Sequence, residues 1–230
     1  MGKPAALGST VPEESEFLTN PLIRVDGNPV FLLGRSPVLR GEVIPFFKVN
    51  ARPMPYEWRD SAVDVPATSL DAATMMEWCN WLSRLDELCP CYDVRVTRHD
   101  APDREVWEER TYKWCGDEGG YRLPTEAEWL LAARAGRLTR YSGGDDLDEV
   151  AVHGPQFALQ PPGLRKPNAW GFHDMTGSVM EACTTSEEPL TIGARGGSPG
   201  GNSVFLPLDS ATSSFSRGNA FGFRVCRTVV

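Results

Sequence analysis

GYRLPTEAEW, at residues 120–129, is the stretch that decides the fold of this 230-residue chain. Thr125 and Glu128 stand three residues apart, as in a capping box. In such a box the threonine hydroxyl and the glutamate carboxylate each satisfy a backbone N–H that would otherwise lack a partner. The stretch therefore predicts a helix that begins at Thr125, buries Trp129 and ends near Gly136.

Two further segments follow in a fixed order. PNAWGFHDMTG occupies residues 167–177, and RGGS at residues 195–198 leads to GFRV at residues 222–225. Together the three segments resemble the formylglycine-generating enzyme (sulfatase-modifying factor) family, a branch of the C-type lectin fold. The resemblance implies an α+β, loop-rich fold with two main helices and small antiparallel sheets. It also implies that the two chain ends pair in a sheet and that the long intervening loops form the binding face.

The chain lacks the pair of catalytic cysteines that true enzymes of this family carry just after Gly-Gly-Ser. Residues 199–206 read PGGNSVFL at that place, and no cysteine lies between Cys183 and Cys226. Copper-dependent oxidation of a substrate cysteine needs two soft thiolates side by side. The sequence therefore argues against the family's enzymatic activity, and we predict no catalytic residue.

The C-terminal stretch at residues 199–221 reads PGGNSVFLPLDSATSSFSRGNAF and contains no Lys, Glu, Gln, Met or Trp. Within the fold family, the chain most resembles variable proteins of diversity-generating retroelements, which place their diversified binding residues at the same position. Their Asn-type codons are mutated at adenines, and the resulting triplets cannot encode those five residue types. Phenylalanine anchors with adaptable Ser, Asn and Gly also suit a recognition surface.

The resemblance thus predicts a non-catalytic module that binds a protein ligand through a variable C-terminal loop surface. The residues expected to form this surface are Asn202, Val204, Phe205, Leu208, Ser213, Phe215, Arg217, Asn219 and Phe221. This binding role predicts that six of them are solvent-exposed on one face: Asn202, Phe205, Leu208, Phe215, Arg217 and Phe221. Two alternatives remain: a pseudo-enzyme scaffold with a fixed partner, and a divergent enzyme, which would instead show a concave pocket with converging polar groups.

A structural calcium is the one cofactor that the sequence leaves open. In the family, the turn after the second segment can supply oxygens to calcium. Here the turn reads GSVMEA at residues 177–182, with Ser178 where the family has Asn and with both Trp positions lost. Asp174 and Glu181 still offer the hard oxygens that calcium prefers. The candidate calcium ligands are therefore Asp174, Ser178 and Glu181.

Composition limits the partners and the compartment. A net charge of −8 and the lack of a basic run disfavour nucleic acid, because phosphate binding depends on clustered Lys and Arg. No run of 18 apolar residues or signal-peptide core is present, so we expect no membrane partner and a cytoplasmic location. In that compartment the six cysteines should be small buried hydrophobes. A disulfide from Cys89 or Cys91 to Cys115 is the alternative.

We predict a flexible lead-in over residues 1–20 and a single lectin-fold domain over residues 21–230. Residues 34–67 are expected to be irregular, and no helix is expected after residue 140. The other predicted elements are a hairpin at 22–33, a short strand at 46–49, a helix from Thr68 or Ser69 to about Leu88, strands near 93–97 and 106–114, and a terminal strand at 221–229.

Overall fold

The structure, a computed structural model, describes residues 17–101, 104–154, 158–187, 190–197, 207–210, 213–214 and 221–230. Its helices are α1 (Arg40–Val49), α2 (Ala72–Leu85), α3 (Glu126–Arg134) and α4 (Leu147–Val150), with a single 3-10 turn at Tyr56–Trp58. Its strands are β1 (Leu22–Val25), β2 (Phe31–Gly34), β3 (Tyr92–Ala101), β4 (Arg104–Trp114), β5 (Tyr121–Arg122), β6 (Met180–Glu187), β7 (Leu190–Arg195), β8 (Ser213–Ser214), β9 (Phe221–Phe223) and β10 (Cys226–Thr228).

The first and last strands of the described chain meet in one four-stranded sheet. β1 and β2 form the predicted hairpin, which runs in antiparallel register from Leu22–Gly34 to Val25–Phe31. β10 pairs antiparallel with both β2 and β5, which gives the strand order β1-β2-β10-β5. The predicted pairing of the two chain ends is therefore confirmed.

A second four-stranded sheet frames the C-terminal stretch. Its order is β8-β7-β6-β9, with β6 antiparallel to β7 and parallel to β9. Helix α3 packs against β6 and β7. Because β7 precedes the C-terminal stretch and β9 begins at its last residue, both ends of the stretch are held by the same sheet, to which β8 also belongs.

The third sheet is the two-stranded hairpin β3–β4, at the position that the sequence predicts. It packs against α2, and its partly buried Val94, Tyr112 and Trp114 extend the core. The Trp114 ring lies with its centroid 5.5 Å from that of Tyr92. Strand β4 of this hairpin also contacts β7 of the sheet that holds the C-terminal stretch.

Two apolar clusters form most of the core. The larger gathers around α1 and α2, where Trp78 meets Phe223 of β9 with ring centroids 5.4 Å apart. The second lies beneath α3 and includes Trp129, Phe172 and Leu208. Leu18 and Asn20, within the predicted lead-in, are already buried, so packing begins before residue 21.

Helix α3 confirms the capping box. The Thr125 hydroxyl accepts a hydrogen bond from the Glu128 backbone N–H at 3.2 Å, and Glu128 Oε2 accepts one from the Thr125 N–H at 2.8 Å. The helix ends at Arg134 because Ala135 and Gly136 both adopt left-handed backbone conformations, with φ of 45° and 70°.

Helix α2 begins later than predicted. Asp71, and neither Thr68 nor Ser69, is the N-cap, and its Oδ1 accepts from the Thr74 N–H at 2.7 Å. Ser69 has a φ of 63°, so the chain turns sharply there before the helix starts. None of the helices in the described chain has both the length and the apolar character needed to cross a bilayer.

The predicted short strand at residues 46–49 is wrong, because these residues end helix α1. The expectation that residues 34–67 are otherwise irregular is wrong over the same helix, Arg40–Val49. Val43, Phe46 and Phe47 recur at helical spacing and are buried together. The Phe46 ring packs on Trp81 at 5.8 Å between ring centroids, and Phe47 packs on Trp58 at the same separation. Tertiary contacts with these two tryptophans thus favour a helix over a strand.

Two smaller differences lie beyond residue 140. The four-residue helix α4 forms where none was predicted, and its N-cap is Asp146, whose Oδ1 accepts from the Asp148 N–H at 3.0 Å. The predicted terminal strand is two strands, β9 and β10. The break falls at Arg224, whose side chain is directed into the core.

Candidate ligand-binding face

The predicted binding residues are distributed unevenly over the structure. Ser213 lies in β8, paired with Ala194 of β7, and Phe221 opens β9 as a partly exposed residue opposite Met180. Leu208 comes before both, between β7 and β8, in a short described piece, residues 207–210. The remaining predicted binding residues, Asn202, Val204, Phe205, Phe215, Arg217 and Asn219, fall outside the described residues.

The expected exposure of Leu208 is wrong. Only 3% of the residue is accessible, and it belongs to the core cluster of Trp129 and Phe172. Its backbone N–H donates to the Arg140 carbonyl at 2.9 Å, and a Ser210 N–H to Pro207 carbonyl bond of 3.0 Å closes the turn around it. A proline just before an apolar residue and an aspartate is a turn signal that could have indicated this inward bend.

Three arginines that sequence reasoning missed hold the described part of this stretch. Arg195, the last residue of β7, donates from Nη1 to the Ser210 carbonyl and from Nη2 to the Glu126 carboxylate. Arg134, at the end of α3, pairs with the Asp209 carboxylate. The main-chain carbonyl of Arg140 provides the third contact. Side chains and backbone of the surrounding elements therefore reach the middle of the stretch as well as its ends.

A buried salt bridge lies beneath the face. Arg224, which follows β9, contacts Glu181 of β6 through Nη2–Oε1 at 2.7 Å and Nε–Oε2 at 2.9 Å. The Trp129 indole N–H donates to Glu181 Oε2 at 2.6 Å. Arg224 Nη1 also donates to the carbonyl of Gly34 in β2 at 2.8 Å, so the guanidinium joins the two four-stranded sheets.

The carboxylate oxygens at the predicted calcium turn are already engaged by N–H donors, the Arg224 guanidinium among them, which leaves them poorly placed to coordinate a metal ion. Both Glu181 oxygens already accept N–H donors, and Asp174 Oδ2 accepts from the Gly163 N–H at 2.7 Å. Burial raises the pKa of Asp174 from its ordinary value. The described residues contain no group of three His, Cys, Asp or Glu side chains placed to hold a metal. Calcium binding stays a prediction, and nothing below depends on it.

The six cysteines are all free, so the alternative of a disulfide to Cys115 is not realised. Cys89 and Cys115 are exposed, which corrects the expectation that all six are buried. Burial raises the pKa of both Cys183 and Cys226 far above the usual thiol range. Buried protonated thiols are poor nucleophiles and poor metal ligands, so these two cysteines serve as core residues.

A cavity of about 590 Å³ borders the face. It lies between the first turn of α3 and the end of β6, next to the Glu126–Arg195 pair. Its polar lining is mainly hydroxyl groups, from Thr125, Thr184, Thr185 and Ser186. A second cavity, of about 660 Å³, lies near the β3–β4 hairpin, where its arginines Arg52 and Arg110 contact Glu77 and Thr74.

The fold and this face define a lectin-type α+β domain whose C-terminal stretch is held in a packed frame and lacks the thiol pair. Residues 48–229 match the model of the sulfatase-modifying factor enzyme 1-like domain. The chain belongs to that family, as the sequence segments predicted.

Two curated relatives match parts of the chain. Chaperone protein LppX of Paenibacillus barcinonensis is 32% identical over 134 residues, which cover 47% of this chain and 47% of LppX. Serine/threonine-protein kinase pkn1 of Chlamydia pneumoniae is 36% identical over 76 residues, 30% of this chain and 12% of the kinase. The chain thus spans about half of the first relative and about an eighth of the second.

Two solved structures share the fold over most of their length. Treponema denticola variable protein 1 superposes with a TM-score of 0.69 at 19% identity, covering 98% of this chain and 93% of that chain. CarF superposes with a TM-score of 0.63 at 22% identity and covers 87% of both chains. These similarities confirm the predicted C-type lectin fold of the formylglycine-generating enzyme type.

Proposed function

We propose that this protein is a non-catalytic recognition module that binds a protein ligand through residues 199–221, as variable proteins of diversity-generating retroelements do. One observation carries the proposal. The frame on both sides of this stretch is intact, with β7 and β9 in one sheet and Arg224 buried against Glu181. The stretch between them has neither the thiol pair of the family's chemistry nor any Lys, Glu, Gln, Met or Trp.

The proposed contact residues are those of the predicted surface without Leu208. They are Asn202, Val204, Phe205, Ser213, Phe215, Arg217, Asn219 and Phe221. Phenylalanines supply large contact area at low entropic cost, and Ser and Asn supply adaptable hydrogen bonds. The partial exposure of Phe221 is in keeping with this role.

The proposed ligand is a protein, and the proposed setting is the cytoplasm. A net charge of −8 repels the phosphate backbone of nucleic acids and the anionic surface of membranes. A loop surface on a rigid frame is the arrangement by which immunoglobulin domains present binding residues. The similarity of fold to Treponema denticola variable protein 1 supports the same arrangement here.

A pseudo-enzyme scaffold with one fixed partner is the second candidate function. It is favoured by the relative named a chaperone protein, which shares 32% identity over 134 residues. The two candidates differ in whether the codons of the C-terminal stretch vary. A divergent enzyme remains the third alternative, and it requires catalytic groups other than the missing thiol pair.

Sequencing the DNA that flanks the gene tests the proposal. We expect a non-coding near-copy of the codons for residues 195–224 that differs mainly at adenines, beside a reverse transcriptase gene. Finding no such copy would replace the diversified module with the fixed-partner scaffold. A parallel assay offers a cysteine-containing peptide with copper and oxygen, and conversion of its cysteine to formylglycine would contradict the non-catalytic proposal.

A further inference from the structure

A cavity of about 450 Å³ lies where the chain enters β1 and leaves β2. Its walls come from residues 19–21, from residues 35–39 and from the loop that leads to β6, at Pro162, Gly163 and His173. Arg35 is the only Asp, Glu, Lys or Arg among the described residues that line it. The cavity therefore presents a cation without an acidic neighbour on its walls, in a protein whose net charge is −8.

The main chain holds Arg35 and His173 side by side. The His173 N–H donates to the Arg35 carbonyl at 3.0 Å. The buried Arg224 guanidinium donates to the Gly34 carbonyl at 2.8 Å and to the His173 carbonyl at 2.9 Å. Because Gly34 directly precedes Arg35, one guanidinium fixes the backbone at both positions. The two side chains of the cavity thus start from a rigid base, as a preorganised site requires.

The His173 ring orients the Arg35 guanidinium. Nδ1 of His173 lies 3.3 Å from the Arg165 carbonyl, which can only accept, so Nδ1 carries the proton. Nε2 is then an acceptor and receives a hydrogen bond from Arg35 Nη2 at 3.3 Å. This contact uses one N–H group of the guanidinium. In the part of the chain that the structure describes, no carboxylate pairs with the others, which are therefore left for a ligand.

Most other polar groups around the cavity are engaged within the protein. The Thr19 hydroxyl donates to Glu42 at 3.0 Å, and the Asn20 side chain exchanges hydrogen bonds with the backbone N–H and carbonyl of Ser36. Ser36 also lines the cavity, and the described residues provide no hydrogen-bond partner for its hydroxyl. Ser36 thus offers a second donor next to Arg35. A guanidinium with a neighbouring hydroxyl matches the two oxygens of a carboxylate.

We propose that this cavity binds a small organic monocarboxylate, which pairs with Arg35 and accepts a hydrogen bond from Ser36. One guanidinium balances one negative charge, which favours a carboxylate over a phosphate group of nearly two charges. Pro21, Leu39 and Pro162 line the same cavity and contact the apolar body of the ligand. The site is independent of the proposed protein recognition, because no described residue of the C-terminal stretch lines the cavity.

NMR titration of the isotope-labelled full-length chain tests the proposal. Sodium benzoate and sodium hexanoate are the probes, benzamide is the uncharged match, and sodium chloride controls for salt. We expect saturable shifts of the Arg35 and Ser36 backbone amides with at least one carboxylate, at a Kd of about 1 mM or below, and none with benzamide. No saturation by either carboxylate up to about 20 mM would overturn the site. Tighter binding of inorganic phosphate than of both carboxylates would overturn the assigned ligand class.

Substitution of Arg35 separates this site from general attraction to positive charge. Arg35→Gln should weaken carboxylate binding about tenfold or more, because it removes charge-assisted hydrogen bonds. Arg137→Gln makes the same change of charge at an exposed arginine on the turn after α3, and affinity should stay within about twofold of the wild type. Wild-type affinity in Arg35→Gln, or equal losses in the two variants, would overturn the proposal.

His173 is a positioning residue, because it acts on the ligand through Arg35. His173→Phe removes the acceptor for the Arg35 N–H and should weaken carboxylate binding roughly threefold. His173→Gln keeps an oxygen that can accept this N–H, and affinity should stay within about twofold of the wild type. A purely structural role would not separate the affinities of these two variants, and equal affinities would overturn the positioning role. Amide spectra that match the wild type outside the cavity confirm that each variant is folded.

Discussion

Arg224 and Glu181 form a salt bridge in which neither side chain has any solvent-exposed surface. Arg224 also donates to the carbonyls of Gly34 and His173, at 2.8 and 2.9 Å. The Gly-Phe-Arg segment after the C-terminal stretch therefore connects β6 with β2 and with the loop that precedes β6. Its arginine thus holds the two four-stranded sheets together.

Breaking this pair should destabilise the protein strongly. Glu181→Gln leaves the Arg224 charge buried without a counter-ion, which typically costs about 3–5 kcal/mol. Urea unfolding at neutral pH measures the free energy of unfolding. Glu149→Gln is the matched control, because Glu149 pairs with Lys166 on the surface and the loss should stay below about 1 kcal/mol. Equal losses in the two variants would mean that the buried pair does not stabilise the frame.

The pair of Glu128 with Arg122 should make stability depend on pH. Burial alone would raise the pKa of Glu128, but the Arg122 guanidinium, 2.6 Å from Oε1, outweighs burial and lowers that pKa. A carboxyl group with a lowered pKa stabilises the fold above its unfolded pKa of about 4.3, and this contribution disappears as the pH falls through the folded pKa.

The measurement compares wild type with Glu128→Gln at pH 7, 5 and 3. We expect the difference in unfolding free energy to be largest at pH 7 and 5 and to shrink at pH 3. The comparison must be differential because burial raises the pKa values of Glu42 and Asp174, which act in the opposite direction. A difference that does not change with pH would contradict the assigned ion pair.

Leu208 should behave as a core residue although the sequence places it among the proposed binding residues. Leu208→Ala leaves a cavity beside Trp129 and should cost about 2–4 kcal/mol. Leu138→Ala removes a leucine that is 96% exposed and should change stability by less than about 0.5 kcal/mol. Thermal and urea unfolding of both variants check the contrast. If Leu208→Ala were as stable as Leu138→Ala, Leu208 would have to be exposed in solution.

Thiol labelling should separate the cysteines into two classes. Under native conditions a thiol-reactive dye should label Cys89 and Cys115 and should reach the four buried cysteines only after denaturation. A hydrogen bond with Glu118 raises the pKa of Cys89, so Glu118→Gln should speed the labelling of Cys89 at neutral pH. Rapid native labelling of Cys183 or Cys226 would show that the second core cluster opens more readily than its packing implies.

Elements set by local interactions were predictable from the sequence. The capping box of α3 joins residues three apart, and the β1–β2 hairpin pairs neighbouring strands. Helix α1 was missed because a short apolar run such as residues 46–49 suits a strand as well as a helix. Packing of Phe46 on Trp81, far along the chain, decides between the two.

In the C-terminal stretch, too, local features were predictable and distant contacts were not. The sequence indicated the segments that flank the C-terminal stretch, Arg195–Ser198 and Gly222–Arg224, but it placed Leu208 on the surface. Burial of Leu208 depends on Trp129 and Phe172, which belong to other segments of the chain. For the same reason, the sequence did not predict that Arg134 and Arg195 contact residues 207–210.

By itself, the sequence determined the family, the helix that begins at Thr125 and the lack of a cysteine pair after Gly-Gly-Ser, because these depend on residue identity and short spacing. Only the tertiary structure decided that Arg195 meets Glu126, 69 positions away, and that Arg224 meets Glu181, 43 positions away. Such contacts form when strands and helices from distant parts of the chain pack together, and no local pattern encodes them.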